Sequence, residues 1–168
     1  MRRVSLVLGG ARSGKSRFAE GQAADFEGPK TYVATAEAFD DEMRGRIAKH
    51  RQQRAGDRWT TIEAPLDPAS TIRVARGFVL LECVTVWLGN LMHHERDIPS
   101  GVAGLCNALT VAEGRIVLVS NEVGLSIVPE NAMARRFRDE QGFANQRLAE
   151  VADEVFFVAA GLPLKLKG

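Results

Sequence analysis

Apolar residues gather in five short runs, at positions 4–8, 31–34, 78–81, 116–119 and 155–158, each mostly aliphatic and bounded by polar or glycine-rich sequence. Runs of four or five residues without polar alternation fit strands buried on both faces. Between them, apolar positions recur at helical spacing over 15–26, 41–54, 84–93 and 131–151. Strands alternating with helices predict parallel pairing through crossover helices, hence an α/β sheet covered on both sides. At 162–167 apolar residues alternate with mostly basic ones, the pattern of a final edge strand.

Two stretches carry weaker signals. In 57–76 the residues Trp59 to Ile62 read as strand-like, and Pro65 and Pro68 mark a loop before a short helix. Pro99, Gly101 and Gly104 make 95–104 an exposed connection. Neither stretch is long enough for a domain of its own, so residues 1–168 are expected to form a single domain. No internal repeat and no low-complexity tract interrupts it.

Composition narrows the class. A hydrophobic fraction of 45% and a charged fraction of 26% match an ordinary globular chain and exclude disorder. The net charge of +1 leaves no chain-wide field to draw nucleic acid or an anionic membrane, so any anionic ligand must be caught locally. Cys83 and Cys106 lie far apart without metal-ligand spacing, no signal-peptide pattern opens the chain, and no apolar run could cross a bilayer. A cytoplasmic protein is expected.

Local capture of an anion has an evident device. Gly9-Gly10-Ala11-Arg12-Ser13-Gly14-Lys15-Ser16 fits G-x-x-x-x-G-K-[ST], directly after the first predicted strand and before a helical pattern. Glycines let successive N–H groups turn inward, and the following helix directs its positive end at the phosphates. Lys15 is expected to reach the β- and γ-phosphates as a catalytic residue, and the Ser16 hydroxyl to join the shell of a Mg²⁺ ion. Arg12 faces either phosphate or solvent; position alone does not decide.

Two further residues carry candidate chemistry. Glu82 ends the apolar run 78–81, where P-loop folds place the acid that holds Mg²⁺; the alternative is an acid that merely begins the next loop. His50 shares a helical face with Met43 and Ile47, among Arg46, Lys49, Arg51 and Arg54, whose positive charge lowers an imidazole pKa. It is either a nucleophile or a solvated or packing side chain. His93 and His94 have no such setting and read as surface residues.

With these residues assembled, the chain resembles the bifunctional adenosylcobinamide kinase / adenosylcobinamide-phosphate guanylyltransferase family over nearly its whole length. The resemblance rests on the opening Gly-Gly-Ala-Arg-Ser-Gly-Lys-Ser, on Ala34-Thr35-Ala36, and on Asp41-Glu42-Met43 followed by Arg46-Ile47, His50, Arg54 and Trp59. It continues in Leu80-Leu81-Glu82-Cys83, Trp87-Leu88, Asn90-Leu91, Ser120-Asn121-Glu122-Val123-Gly124 and Ile127-Val128-Pro129-Glu130-Asn131. Arg135, Phe137-Arg138-Asp139 and Asn145-Gln146 complete it.

The resemblance implies a RecA-like α/β P-loop NTPase fold with a mostly parallel central sheet flanked by helices. It also implies two reactions: phosphorylation, by ATP or GTP, of the hydroxyl on the aminopropanol arm of adenosylcobinamide, then transfer of GMP from GTP onto that phosphate to give adenosyl-GDP-cobinamide. His50 matches the histidine that is guanylylated on the way: its imidazole attacks the α-phosphorus, pyrophosphate leaves, and the substrate phosphate displaces the phosphoramidate. Nucleotide contacts would come from Gly9, Gly10, Ala11, Arg12, Ser13, Gly14, Lys15 and Ser16. Ala34, Thr35, Ala36, Arg51, Gln52, Gln53, Arg54, Glu63 and Glu82 would add to them. Ser16 and Glu82 would hold Mg²⁺, and the assembly would be a homotrimer with sites near subunit boundaries.

Residues 121–131 follow a predicted strand at the end where α/β sheets bind ligands, beside the corrinoid pocket or a subunit contact; the alternative is a loop shaped only by Gly124 and Pro129. Many relatives carry Asp where this chain has Glu82, a longer reach for the same charge. Residues 95–114 match no family block. A regulatory GTP switch would need Asn-Lys-x-Asp after the relevant strand, where this chain has Ser120-Asn121-Glu122-Val123. A small-molecule P-loop kinase lacking guanylyltransferase activity is the nearer alternative.

Overall fold

A computed structural model of the chain describes residues 2–37 and 59–168. The chain order is β1 (Arg3–Gly9), α1 (Lys15–Gly21), β2 (Lys30–Ala34), β3 (Trp59–Glu63), α2 (Pro68–Val74), β4 (Phe78–Glu82), α3 (Val84–His93), α4 (Ile98–Val111), β5 (Arg115–Asn121), α5 (Ala132–Val151), β6 (Glu154–Ala159) and β7 (Leu162–Lys167). The strands form one sheet in the order β3-β2-β4-β5-β1-β6-β7. All neighbours pair in parallel except β7, which returns antiparallel on β6 as an edge strand.

Side chains on a strand alternate between faces, and here both faces are covered, which is why the runs read as continuously apolar. Leu6, Leu8, Val79, Leu81, Ile116 and Leu118 enter a large cluster with residues of α2, α3, α4 and α5. Their neighbours Val7, Phe78, Leu80, Val117 and Val119 face the other way, into a smaller cluster with Ala19 of α1. The chain thus leaves β1 over one face and β5 over the other, so a crevice opens at the carboxyl ends of these adjacent strands.

The expected connection at 95–104 is instead largely the first half of α4. Asp97 caps it, its carboxylate accepting the Ser100 N–H at 3.0 Å, and Pro99 sits in the first turn, where a missing N–H costs nothing. Hydrogen bonds from the Ser100 hydroxyl and N–H hold the Asp97 carboxyl below its ordinary pKa. Gly101 is a packing residue: a Cβ there would lie 2.9 Å from Leu91 Cδ1 and 3.4 Å from Trp87 Cζ2, so its absence lets α3 and α4 approach. Asp67 and Asn131 cap α2 and α5 in the same manner. The first helix is shorter than its 15–26 pattern, ending at Gly21, and the pattern over 41–54 lies outside the described residues.

One buried carboxylate joins the ends of the chain. Glu154 at the start of β6 accepts Arg3 Nη2 at 2.6 Å, Lys165 Nζ at 2.8 Å and the Ser5 hydroxyl at 3.2 Å. Burial pushes its carboxyl up, but the hydrogen bonds and charges of Lys165 and Arg3 outweigh burial and lower it from 4.5 to about 2. A depressed carboxyl pKa contributes stability that is present above the unfolded value near 4.5 and is lost as pH falls through about 2. Arg3 and Lys165 are half-exposed and can return to water, so losing Glu154 costs less than stranding a fully buried charge. Glu154→Gln is expected to lower stability at pH 7 by about 1–2 kcal/mol and to flatten the decline between about pH 5 and pH 2. Urea unfolding of both proteins across that range measures it; parallel pH profiles would contradict the assignment.

Candidate active site

The loop between β1 and α1 is fixed by three close approaches. A Cβ on Gly9 would lie 2.5 Å from Ser13 Oγ and 2.6 Å from the Val158 carbonyl oxygen, so only glycine lets the loop fold over the end of β6. Gly14 has φ of +95° and caps α1 in the left-handed region. Arg12, with φ of 56°, is also in that region without being glycine, and strain of this kind collects at functional sites. The two-residue turn between β6 and β7 braces the loop from outside: Gly161 N–H donates to Ser13 O at 2.8 Å. Lys15 is buried at 8% exposure, and its Nζ donates to Gly10 O at 3.1 Å. A concavity of about 400 Å³ is lined by residues 12–17 and carries Arg12, Lys15 and Arg17.

Glu82 stands across from this loop. Its Oε1 accepts the Ser16 hydroxyl at 2.7 Å, bringing together the two residues expected to hold a metal. Sheet register aligns Glu63, Ala34 and Glu82 in one row at the carboxyl ends of β3, β2 and β4. Thr35 is wholly buried: its hydroxyl donates to the Glu82 and Cys83 carbonyls at 3.2 and 2.9 Å and accepts the Cys83 N–H at 2.9 Å. Buried Asn90 of α3 donates to Thr35 O at 2.7 Å and Pro65 O at 2.9 Å, tying down the loops after β2 and β3 together. Thr35 and Asn90 therefore set where Glu82 and Ala34 lie. Burial above all, then the Glu82 charge, raises the Cys83 thiol, which stays protonated.

On the other side of the cradle β5 ends opposite β1, Asn121 in register with Gly9. Asn121 N–H donates to Thr85 Oγ1 at 2.8 Å, and its carbonyl accepts Asn145 Nδ2 at 3.2 Å. Behind it Ser120, Gln141 and Asn145 form a buried network, with Ser120 Oγ to Asn145 Oδ1 at 2.7 Å and Gln141 Nε2 to Ser120 Oγ at 2.9 Å. Glu122 N–H donates to Gly9 O at 3.0 Å, so the segment after β5 is bonded to the first residue of the cradle. Between them lies a cavity of about 480 Å³ whose lining includes Gly10, Ala11, Asn121, Glu122, Leu125 and Phe157.

The structure thus gathers Gly9 to Ser16, Ala34, Thr35, Ala36, Glu63 and Glu82 at one edge of the sheet. His50, Arg51, Gln52, Gln53 and Arg54 lie outside the described residues. His94 is exposed, as expected of a surface residue, and binds Glu37 just beyond β2, with Nε2 to Oε2 at 3.0 Å. Thr85, Gln141 and Gly161 carried no site signal. Ala160-Gly161 between two apolar alternations marks a tight hairpin, yet nothing local to it says that the turn abuts Ser13.

The family model described as cobinamide kinase / cobinamide phosphate guanyltransferase matches residues 5–166. The bifunctional adenosylcobalamin biosynthesis protein CobP of Pseudomonas aeruginosa is 46% identical over 170 residues, covering 97% of this chain and 96% of that protein. The bifunctional adenosylcobalamin biosynthesis proteins CobU of Salmonella typhimurium and Escherichia coli are 42% and 39% identical, each over 96% of this chain and 98% of theirs. Among solved structures, a KaiC-like protein from Pyrococcus horikoshii OT3 superposes with a TM-score of 0.49 at 16% identity, over 92% of this chain and 70% of that one. With the blocks around the cradle, Glu82 and Asn121 all inside the matched span, the chain belongs to the cobinamide kinase / cobinamide phosphate guanyltransferase family.

Proposed function

We propose that this protein phosphorylates adenosylcobinamide with ATP or GTP and then transfers GMP from GTP to adenosylcobinamide phosphate through a guanylylated His50. The observation that carries the reading is the contact between Ser16 of the phosphate loop and Glu82, 2.7 Å apart at the crevice of a parallel sheet. No side chain caps the amino end of α1, so its first N–H groups suit phosphate oxygens. Lys15 would move from Gly10 O to the β- and γ-phosphates, exchanging a carbonyl for a full charge.

A hydroxyl and a carboxylate are hard oxygen donors, and among the described residues no group of three or more His, Cys, Asp or Glu side chains converges. This donor set suits Mg²⁺ shared with the nucleotide, the remaining positions filled by phosphate oxygens and water. Ser16 and Glu82 would hold the ion, which when bound neutralises charge on the transferring phosphates. His50 would act on the nucleotide held beside Ala34 and Ala36, and Arg51 to Arg54 would contact the same nucleotide. The homotrimer and the binding of the corrinoid beside 121–131 belong to this proposal, supported by the exposure of Leu125 at 83%, Ile127 at 92% and Val128 at 61%. Two free cysteines suit a reducing cytoplasm, and no helix among the described residues is long and apolar enough to cross a membrane.

GTP labelled on its α-phosphate is expected to leave an acid-labile, base-stable adduct on the protein, and His50→Ala to abolish it. An adduct that survives the substitution would refute the guanylyl-histidine; no adduct at all would reduce the protein to a kinase. Among the described residues Lys15 bonds within its own loop, so Lys15→Ala should keep the fold while weakening nucleotide binding about 10- to 100-fold or stopping phosphorylation. Calorimetric titration with nucleotide, beside a thermal unfolding scan, reads both halves, and unaltered phosphorylation would overturn the role of Lys15.

A further inference from the structure

Phosphoryl transfer to an alcohol leaves a proton to be removed, and Glu82, bonded to Ser16 on the metal side of the cradle, is already committed. In the cavity on the opposite side, between Gly10-Ala11 and the segment after β5, Glu122 is the one titratable side chain among the described residues of the lining. That residue is anchored at both ends. Its N–H is bonded to Gly9 O at 3.0 Å, which ties its position to the first residue of the phosphate loop. One carboxylate oxygen, Oε1, accepts the Gly124 N–H at 2.5 Å. A Cβ on Gly124 would stand 2.8 Å from that oxygen, so glycine two residues on is what allows the turn to grip the carboxylate. A side chain gripped this way has given up part of its rotamer freedom before it acts, and it stands in the wall of the cavity.

Resting on the kinase reading above, we infer that Glu122 is the general base of the phosphorylation step and that the cavity beside it receives the hydroxyl-bearing arm of the acceptor. The Glu122 carboxylate takes the proton as the acceptor oxygen bonds to the γ-phosphorus. The bond from that phosphorus to the bridging oxygen breaks, its electron pair leaving on the β-phosphate of the nucleoside diphosphate. The proton on Glu122 passes to water after the products depart. Guanylyl transfer needs no such base, because there the attacking groups are an imidazole and a phosphate.

The two half-reactions give the test. With adenosylcobinamide and ATP, Glu122→Gln should lower phosphorylation turnover by about 100-fold or more. Nucleotide affinity, thermal midpoint and the adduct from α-labelled GTP should stay within about twofold, as expected of a group that acts on the acceptor alone. Glu122→Asp, which keeps a base on a shorter arm, should recover part of the lost turnover. Turnover of the Gln variant within about threefold of the unaltered protein would overturn the inference, the expected base contribution being far larger. A matched loss of phosphorylation, adduct and nucleotide affinity would also overturn it, marking Glu122 as a structural residue of the turn. If the unaltered protein itself fails to phosphorylate the acceptor, the kinase reading falls and this inference with it.

Discussion

A parallel strand can be continued only by crossing over to the other end of the sheet, and this constraint brings every strand-to-helix loop to the same edge. In this protein it places the ends of β1, β4 and β5 side by side, with Gly9 opposite Asn121 and Glu82 opposite Val119. The phosphate loop, the acid that meets Ser16 and the carboxylate of Glu122 are consequences of that alignment. No single helix or loop could bring these groups together, since they are spread over more than a hundred residues of the chain.

Holding the edge in shape falls to neutral polar side chains buried just behind it. The side chains of Thr35 and Asn90 bond backbone groups across the ends of β2, β3 and β4, while Ser120, Gln141 and Asn145 bond one another behind β5, Asn145 also holding the Asn121 carbonyl. Buried groups of this kind add about 1 kcal/mol each when satisfied and cost more when stranded, so their worth lies in excluding other arrangements. Charges are kept for the front of the site, where Arg12, Lys15 and Arg17 line the concavity of the loop and Glu122 the cavity beside it.

Most of the sheet was legible because both of its faces are covered: five aliphatic runs became five strands, and β3 and β7 followed their weaker patterns. The phosphate loop was legible because its chemistry demands glycines at fixed spacing. Helix α4 was misread because Pro99, Gly101 and Gly104 are breakers by local rule, whereas Pro99 stands in the first turn after the Asp97 cap and Gly101 meets Leu91 and Trp87. The grip of Gly124 on Glu122 and of Thr35 on Glu82 are distances between atoms that composition and periodicity do not encode. Family resemblance pointed to the Glu122 block without giving it chemistry, and it placed the most weight on His50, which lies outside the described residues.

The brace between Gly161 and Ser13 bears on how the protein is made. Synthesis proceeds from the amino end, so the phosphate loop leaves the ribosome well before β6, on which Gly9 rests, and the turn that holds Ser13. Strand β1 sits between β5 and β6 and cannot acquire either neighbour until residue 115 and those after it have emerged. A growing chain therefore carries the motif for nucleotide binding long before it has the capacity. The order of strands in the sheet thus separates the making of the loop from the making of the strands that shape it.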